Sequence, residues 1–534
     1  MEFDYIIVGA GSAGCVVADL LSRDGENSVC VVEAGGSDRK FWVKVPVGYG
    51  RLFSDQRYNW KFKTEPDPAC NQRRAYWPRG KIVGGSSSIN ALVYVRGLPH
   101  DFDDWESSGA KGWGWRDVLP HFQQIEQRIA SDGTISGQGP LAISDVSNKA
   151  HPINQVFQDA AGEIGIRRSA DFNGEDPEGV GHYQITTKNG LRCSAADAFL
   201  RPALKRRNVK LLRDTMVQKI LFDSKSAIGV AVSHKKMDIN IRARKEVIVC
   251  AGAIGSPQLL QVSGIGSADH LQALGINVVK DNPNVGRHLQ DHLAVNYYYK
   301  ATKPTLNNQL STPIGRLWAG IKYVLTRGGP LSLSVNQFGG FTRSHEKLCH
   351  ADTQLYMSPM TFCTSDPEKD SRVNPDPFSG FLLSYQPSRP TSTGDINICS
   401  ADNSVPPTIR ANSLSTQQDI DDALASGRIL QKLTNTAALK NLILEPVGPD
   451  ITTMNDAEII ADFRERCSTV FHPVSTCRMG ATDESSVVSS DMKVHGVNAL
   501  RIIDASTFPN ITSGNTNAPT IMLAHKAATE MLAE

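Results

Sequence analysis

Six residues near the N-terminus, Gly9-Ala-Gly-Ser-Ala-Gly14, have the G-x-G-x-x-G spacing that lets a main chain wrap a pyrophosphate. Gly9 permits the tight turn, Gly11 lets the backbone approach the phosphates, and Gly14 lets a helix pack on a strand. Ser12 and Ala13 complete the loop, and the free N–H groups at the start of the following helix favour an anion there. Glu33, nineteen residues beyond Gly14 and followed by Ala34, stands where an acid can hold a ribose hydroxyl. FAD and NAD both fit this pattern, so the loop by itself leaves the dinucleotide open. Two other constellations carry less. His288 and His292 are four apart with Asp291 between them, a spacing that can hold zinc, yet the His-Glu-x-x-His arrangement is missing and no metal is expected. No G-x-S-x-G occurs, which leaves a serine hydrolase without support.

The elements around the loop are those it needs. Tyr5-Ile-Ile-Val8 is a short buried-strand run, Cys15-Val-Val-Ala-Asp-Leu-Leu21 is helical, and Val29-Cys-Val-Val32 is a second apolar strand. Residues 41–115 are rich in Gly, Trp, Tyr and Pro and read as long ordered loops. A helix is expected over 155–165, and residues 209–250 alternate apolar and polar in hairpin-like runs. Residues 300–400 are Pro/Ser/Thr-rich with short strand-like pieces, 416–440 and 455–467 are helical, and 515–533 runs from polar turn residues into a helix. The class is α/β (α+β overall), with a Rossmann-type start and a more β-rich middle.

The charge balance, 56 Lys+Arg against 55 Asp+Glu, excludes an acidic or basic tail protein and argues against nucleic acid as a partner. Ten cysteines without a Cys-x-x-Cys motif read as free thiols in a reducing compartment, the cytoplasm. The first residues carry Glu2 and Asp4 instead of a basic region, which does not read as a signal peptide. The uncharged stretch Val247 to Ala268 could span a bilayer by length, but its glycines, Pro257 and glutamines favour a buried strand, turn and helix. Pro313 to Arg327 is amphipathic: a substrate-domain helix, with a membrane-surface or subunit contact as its alternative.

Three further stretches follow the N-terminal loop. They are Arg79-Gly-Lys-Ile-Val-Gly-Gly-Ser-Ser-Ser-Ile-Asn-Ala-Leu-Val-Tyr-Val-Arg-Gly97, Gly252-Ala-Ile-Gly-Ser-Pro-Gln-Leu-Leu-Gln-Val-Ser-Gly-Ile-Gly266, and Phe471-His-Pro-Val-Ser-Thr-Cys-Arg-Met-Gly480 with Gly514-Asn-Thr-Asn-Ala-Pro-Thr-Ile-Met522. In this order they resemble the patterns of the glucose–methanol–choline (GMC) oxidoreductases, over the whole chain. The resemblance implies FAD and a GMC fold: an FAD-binding domain from 1–150, 190–298 and 456–534, and a substrate domain of sheet plus helices from 151–189 and 299–455. It places Arg79, Val83, Gly85 and Ser86 at the cofactor, with Asn90, Ala91, Leu92 and Val93 running past the flavin ring. Val217 falls where the family contacts adenine with its backbone, Ala251 and Gly252 near the adenosine, and Asp504 and Ala505 beside the ring. Thr516 and Asn517 open a last helix whose N-terminus can favour an anionic reduced flavin. Some relatives tether the flavin through a histidine where this chain has Ile89, so non-covalent FAD is expected.

By the same resemblance His472 is the base that takes a hydroxyl proton while hydride passes to flavin N5, and Asn515 holds the substrate oxygen. The implied reaction oxidises a primary alcohol to an aldehyde, with the flavin reoxidised by a quinone, a dye or O2. Gln337, before Phe338-Gly-Gly-Phe341, stands where choline and alkanol relatives tend to carry an acid, which points to a neutral alcohol. Choline dehydrogenase and a non-redox hydroxynitrile lyase are the alternatives.

Overall fold

The computed structural model describes residues 1–234, 237–363 and 374–534. Val29–Val32 is buried throughout and Glu2–Val8 from Tyr5 onward, as parallel strands covered on both faces must be. These two strands pair in parallel, flanked by Val209–Leu212 on one side and Met237–Val249 on the other. Leu500–Ile502 adds a further parallel neighbour to Val247–Val249, while Ser226–His234 and Thr215–Asp223 continue the sheet as antiparallel hairpins. Strand and helix therefore alternate at the start as expected, and the strands feed their C-terminal ends toward one edge. The stretch from Val247 is a strand that ends at Val249 and a buried helix, Gly252–Val262. Among the described residues no helix is long and apolar enough to cross a membrane.

A second seven-stranded sheet has the order Ile443–Val447, Leu293–Ala301, Gly380–Pro387, Thr353–Ser358, Phe338–Thr342, Gly179–His182, with Ser468–Thr469 beside the start of Leu293–Ala301. Leu293–Ala301 crosses the boundary placed at residue 298. Strand periodicity divides its work. Val295, Tyr297, Tyr299, Phe381, Leu383 and Tyr385 pack into one core with residues of the helices Gln417–Thr434 and Asp456–Arg466. Their neighbours Ala294, Asn296, Leu382 and Ser384 point the other way, into a large cavity.

Residues 41–115 are mostly irregular, but Pro99–Ser107 is a helix the loop reading missed. Its proline sits at the first helical position, where the absent N–H costs nothing. Asp101 Oδ2 then accepts from Leu98 N and from Ser513 N, fixing this helix to the loop that precedes Asn515. Cys70 and Cys467, 397 residues apart in sequence, bring their Sγ atoms to 3.7 Å.

Candidate active site

The cavity, about 1210 Å³, runs from the N-terminal glycine loop to His472 and Asn515. At one end the main chain forms the walls. Gly9 has φ +104°, and a Cβ there would lie 2.5 Å from Cys250 O. A Cβ on Gly14 would stand 1.9 Å from Gly9 O, so this glycine is required by the packing of helix on strand. Gly11 differs: its φ is −81° and a Cβ would meet no protein atom nearer than 4.0 Å. The chain itself has no need of a glycine at Gly11, whereas a ligand lying against the loop does. Glu33 accepts from Ala10 N at 2.9 Å and Gly35 N at 2.7 Å, so it braces the loop it borders. Burial pushes its carboxyl up to about 7 against those two bonds. Ser12 Oγ donates to Asn517 Oδ1 at 2.7 Å, which holds the starts of the first and last helices together at the cavity wall.

At the other end side chains carry the chemistry. The pairs Leu293–Thr469 and Ala294–Ser468 set two strands side by side, and this register brings His292 against His472. Asp291 Oδ1 accepts from both backbone amides, His292 N at 2.9 Å and His472 N at 2.7 Å. Phe471, just before His472, has φ +71°, a left-handed conformation costing about 1–3 kcal/mol that the surrounding bonds must hold. One such bond is Phe471 N to Thr469 Oγ1 at 2.8 Å, and Arg79 donates to the Phe471 carbonyl.

The proton positions follow from the partners. His292 Nε2 lies 2.9 Å from Ser388 O, a pure acceptor, so Nε2 carries the hydrogen. Burial pushes the His292 ring down to about 4, which keeps it neutral and leaves Nδ1 as an acceptor. His472 Nδ1, 3.1 Å away, must then be the donor. Burial, His292 and the Arg79 charge hold His472 well below the ordinary histidine range. The lone pair of His472 is therefore on Nε2, where it accepts from Asn515 Nδ2 at 3.2 Å. A neutral base with its lone pair aimed into the cavity and an amide donor beside it can take a hydroxyl proton and hold the oxygen left behind.

The model of the N-terminal part of the GMC oxidoreductases matches residues 3–294, and that of the C-terminal part residues 390–524. The chain belongs to the GMC oxidoreductase family. It is an oxidoreductase. It is 39% identical over 532 residues to an oxygen-dependent choline dehydrogenase of Vibrio vulnificus, covering 99% of this chain and 94% of that protein. It is 38% identical over 531 residues to an alcohol dehydrogenase [acceptor] of Pseudomonas putida, covering 98% and 95%. An FAD-dependent oxidoreductase from Chaetomium thermophilum has the same fold, with a TM-score of 0.90, 26% identity and 99% of each chain covered.

Most of the residues expected at a GMC cofactor border this cavity: Gly9, Gly11, Ser12, Ala13, Glu33, Ala34, Arg79, Gly85, Ser86, Asn90 to Val93, Val217, Ala251, Gly252, Asp504, Ala505, Thr516 and Asn517. Two do not. Gly14 stands behind the loop in the helix–strand packing, and the Val83 side chain joins the core of the first sheet. A third expectation also needs correcting. Gln337 is buried away from the cavity, with its Oε1 accepting from His151 N at 2.8 Å. Its neighbour Asn336 lines the cavity instead, because successive residues entering a strand face opposite sides.

Two buried acceptors test the fit of a ligand. Asn515 Oδ1 at the catalytic end and Asn403 Oδ1 at the far end have no donor among the described residues. Both residues line the cavity. Asn403 was invisible in the sequence; its Nδ2 donates to Val217 O at 2.7 Å. His292 was visible only as half of a His-x-x-x-His pair. Its partner in that pair, His288, turns to Asn284 Oδ1 at 3.4 Å, so the two rings do not converge.

Proposed function

We propose that this protein oxidises a primary, neutral alcohol to the aldehyde with non-covalently held FAD. The observation that carries the reading is that His472 Nε2 and Asn515 Nδ2 open into the same cavity as the G-x-G-x-x-G loop. The loop Gly9 to Gly14, Glu33, Ser86 and the two helix starts at Ser12 and Asn517 would hold the cofactor, and Ile89 offers no nucleophile to tether it. When bound, FAD supplies the two-electron acceptor that no side chain here can be. His472 takes the hydroxyl proton at Nε2. Asn515 donates to the oxygen as negative charge develops there. Val47, Tyr49, Phe53, Val335, Met360 and Phe362 enclose the substrate side in apolar and aromatic surface that excludes water. No carboxylate borders that side among the described residues; Glu33 and Asp504 are engaged by backbone and serine groups elsewhere on the wall. We further propose that residues 1–150, 190–298 and 456–534 form the cofactor domain and the remainder the substrate domain, with the strand Leu293–Ala301 and the helix Asp456–Arg466 joining the two at their boundaries.

Choline is a second reading, favoured by the Vibrio vulnificus relative and by the aromatic faces of Tyr49, Phe53 and Phe362 on the cavity wall. Such faces return about 0.5–2 kcal/mol to a cation, less than burying it without a counter-charge costs. Purified protein is expected to be yellow and to release FAD on denaturation. Anaerobic addition of a primary alcohol should bleach the flavin, and with one dye as acceptor neutral alcohols should exceed choline in kcat/KM by about tenfold. Flavin that precipitates with the polypeptide overturns the non-covalent part. A preference for choline over every neutral alcohol overturns the substrate part, and no bleaching by any alcohol leaves the lyase reading.

A further inference from the structure

The helix Pro313–Thr326 turns its large apolar residues outward. Ala319 and Tyr323 face the protein, and Tyr323 Oη donates to Gly190 O at 2.9 Å. On the other side Ile314, Leu317, Trp318, Ile321, Val324 and Leu325 are 38–78% exposed. They recur at i, i+3, i+4, i+7, i+10 and i+11, which is one stripe along a helix and directly opposite the packed face. A contiguous apolar stripe of this kind on a surface marks a contact.

The charge around the stripe says with what. Between Asp291 and Glu346 the chain has no acidic residue and six cations: Lys300, Lys303, Arg316, Lys322, Arg327 and Arg343. The whole chain is balanced to +1, so this basic segment is a local bias. Lys300 pairs with Glu445 and Arg343 with Glu178; Arg327 lies over the inward Tyr323 ring and Arg316 donates to Leu310 O at 3.4 Å, while Lys322, exposed at the flank of the stripe, makes no ion pair among the described residues. We propose that this helix docks the protein on an anionic lipid surface, with the stripe in the headgroup–acyl boundary and Lys322 at its flank over the phosphates. Trp318 at the middle of the stripe suits that boundary. A second copy of the chain would bring the same cations together across a twofold axis with no acid in the segment to meet them. Ala319 on the inner face packs in one cluster with Tyr49, Val335 and Met360, all on the cavity wall, so docking holds the outer wall of the substrate cavity against the bilayer.

Flotation of the flavin-loaded protein with vesicles tests this directly. Vesicles of phosphatidylglycerol and phosphatidylethanolamine should carry up at least about tenfold more protein than vesicles of phosphatidylcholine, and the excess should fade at about 0.5 M salt. Trp318→Glu and Leu325→Glu should each lower flotation about tenfold, and Lys322→Gln about fivefold. Flavin content and melting temperature should match wild type in all three variants. Wild-type protein that stays down with anionic vesicles overturns the proposal, as does Trp318→Glu protein that floats equally well. A dimer in light scattering that Trp318→Glu splits, without vesicle binding, would assign the face to a second copy.

Discussion

The two ends of the cavity are built by different means. At the dinucleotide end, consecutive residues Gly9 to Gly14 present main chain, and side chains matter there chiefly by being absent. At the catalytic end, His292, His472 and Asn515 come from three distant segments, and everything depends on which nitrogen each side chain presents. Backbone recognition survives changes of neighbouring side chains, whereas a proton relay fails if one strand slips by a residue. The first kind of site is therefore robust and local, and the second is exact and non-local.

Mutations at the two ends should separate these modes. The largest effect is expected at the catalytic end: His472→Ala should slow flavin reduction by about 10²-fold or more in stopped flow and leave flavin content unchanged. Lost flavin with normal reduction in the remaining holoenzyme would erase the contrast. Next come two glycines three residues apart in the same loop. Gly14→Ala puts a Cβ 1.9 Å from Gly9 O and should cost about 1–3 kcal/mol in denaturation of the cofactor-free protein. Gly11→Ala meets no protein atom nearer than 4.0 Å and should leave that stability alone while weakening FAD binding about tenfold.

A smaller effect is expected from His292→Ala, which removes the acceptor that fixes the His472 tautomer. The rate should fall about fivefold, the weight of one hydrogen bond of ~1 kcal/mol, with KM little changed. The pH profile is the finer readout. His472 works as the neutral ring, so kcat/KM falls on acidification through its pKa. Burial, His292 and Arg79 all depress that pKa, which puts the wild-type acid limb below about 6.5, the ordinary histidine value. His292→Ala removes one depressing neighbour and should move the limb upward. An unmoved limb with the same fall in rate would make His292 a packing residue only.

Legibility follows the same division. The strand, turn, helix and strand of residues 1–35 are apparent because the pattern is local, and the helices at 154–163, 417–434, 456–466 and 517–531 lie where periodicity puts them. His472 and Asn515 are found by resemblance, through the residues around them. The resemblance points to Gln337, but alternation along a strand does not say which face meets the ligand, and the cavity takes Asn336. The resemblance puts Val83 at the cofactor, yet the core takes its side chain.

The sequence by itself determined the dinucleotide loop and the class of the fold, and it pointed to the residue proposed as the base, because each is written in residues close together along the chain. Tertiary structure alone decided that His292 sets the tautomer of His472, that Asn336 and not Gln337 borders the cavity, and that Cys70 meets Cys467. It alone decided as well that the apolar stripe of Pro313–Thr326 faces outward. Amphipathicity gives a helix two faces with no sign attached. Strand pairing gives a side chain two possible sides. Only the packing of distant segments chooses between them.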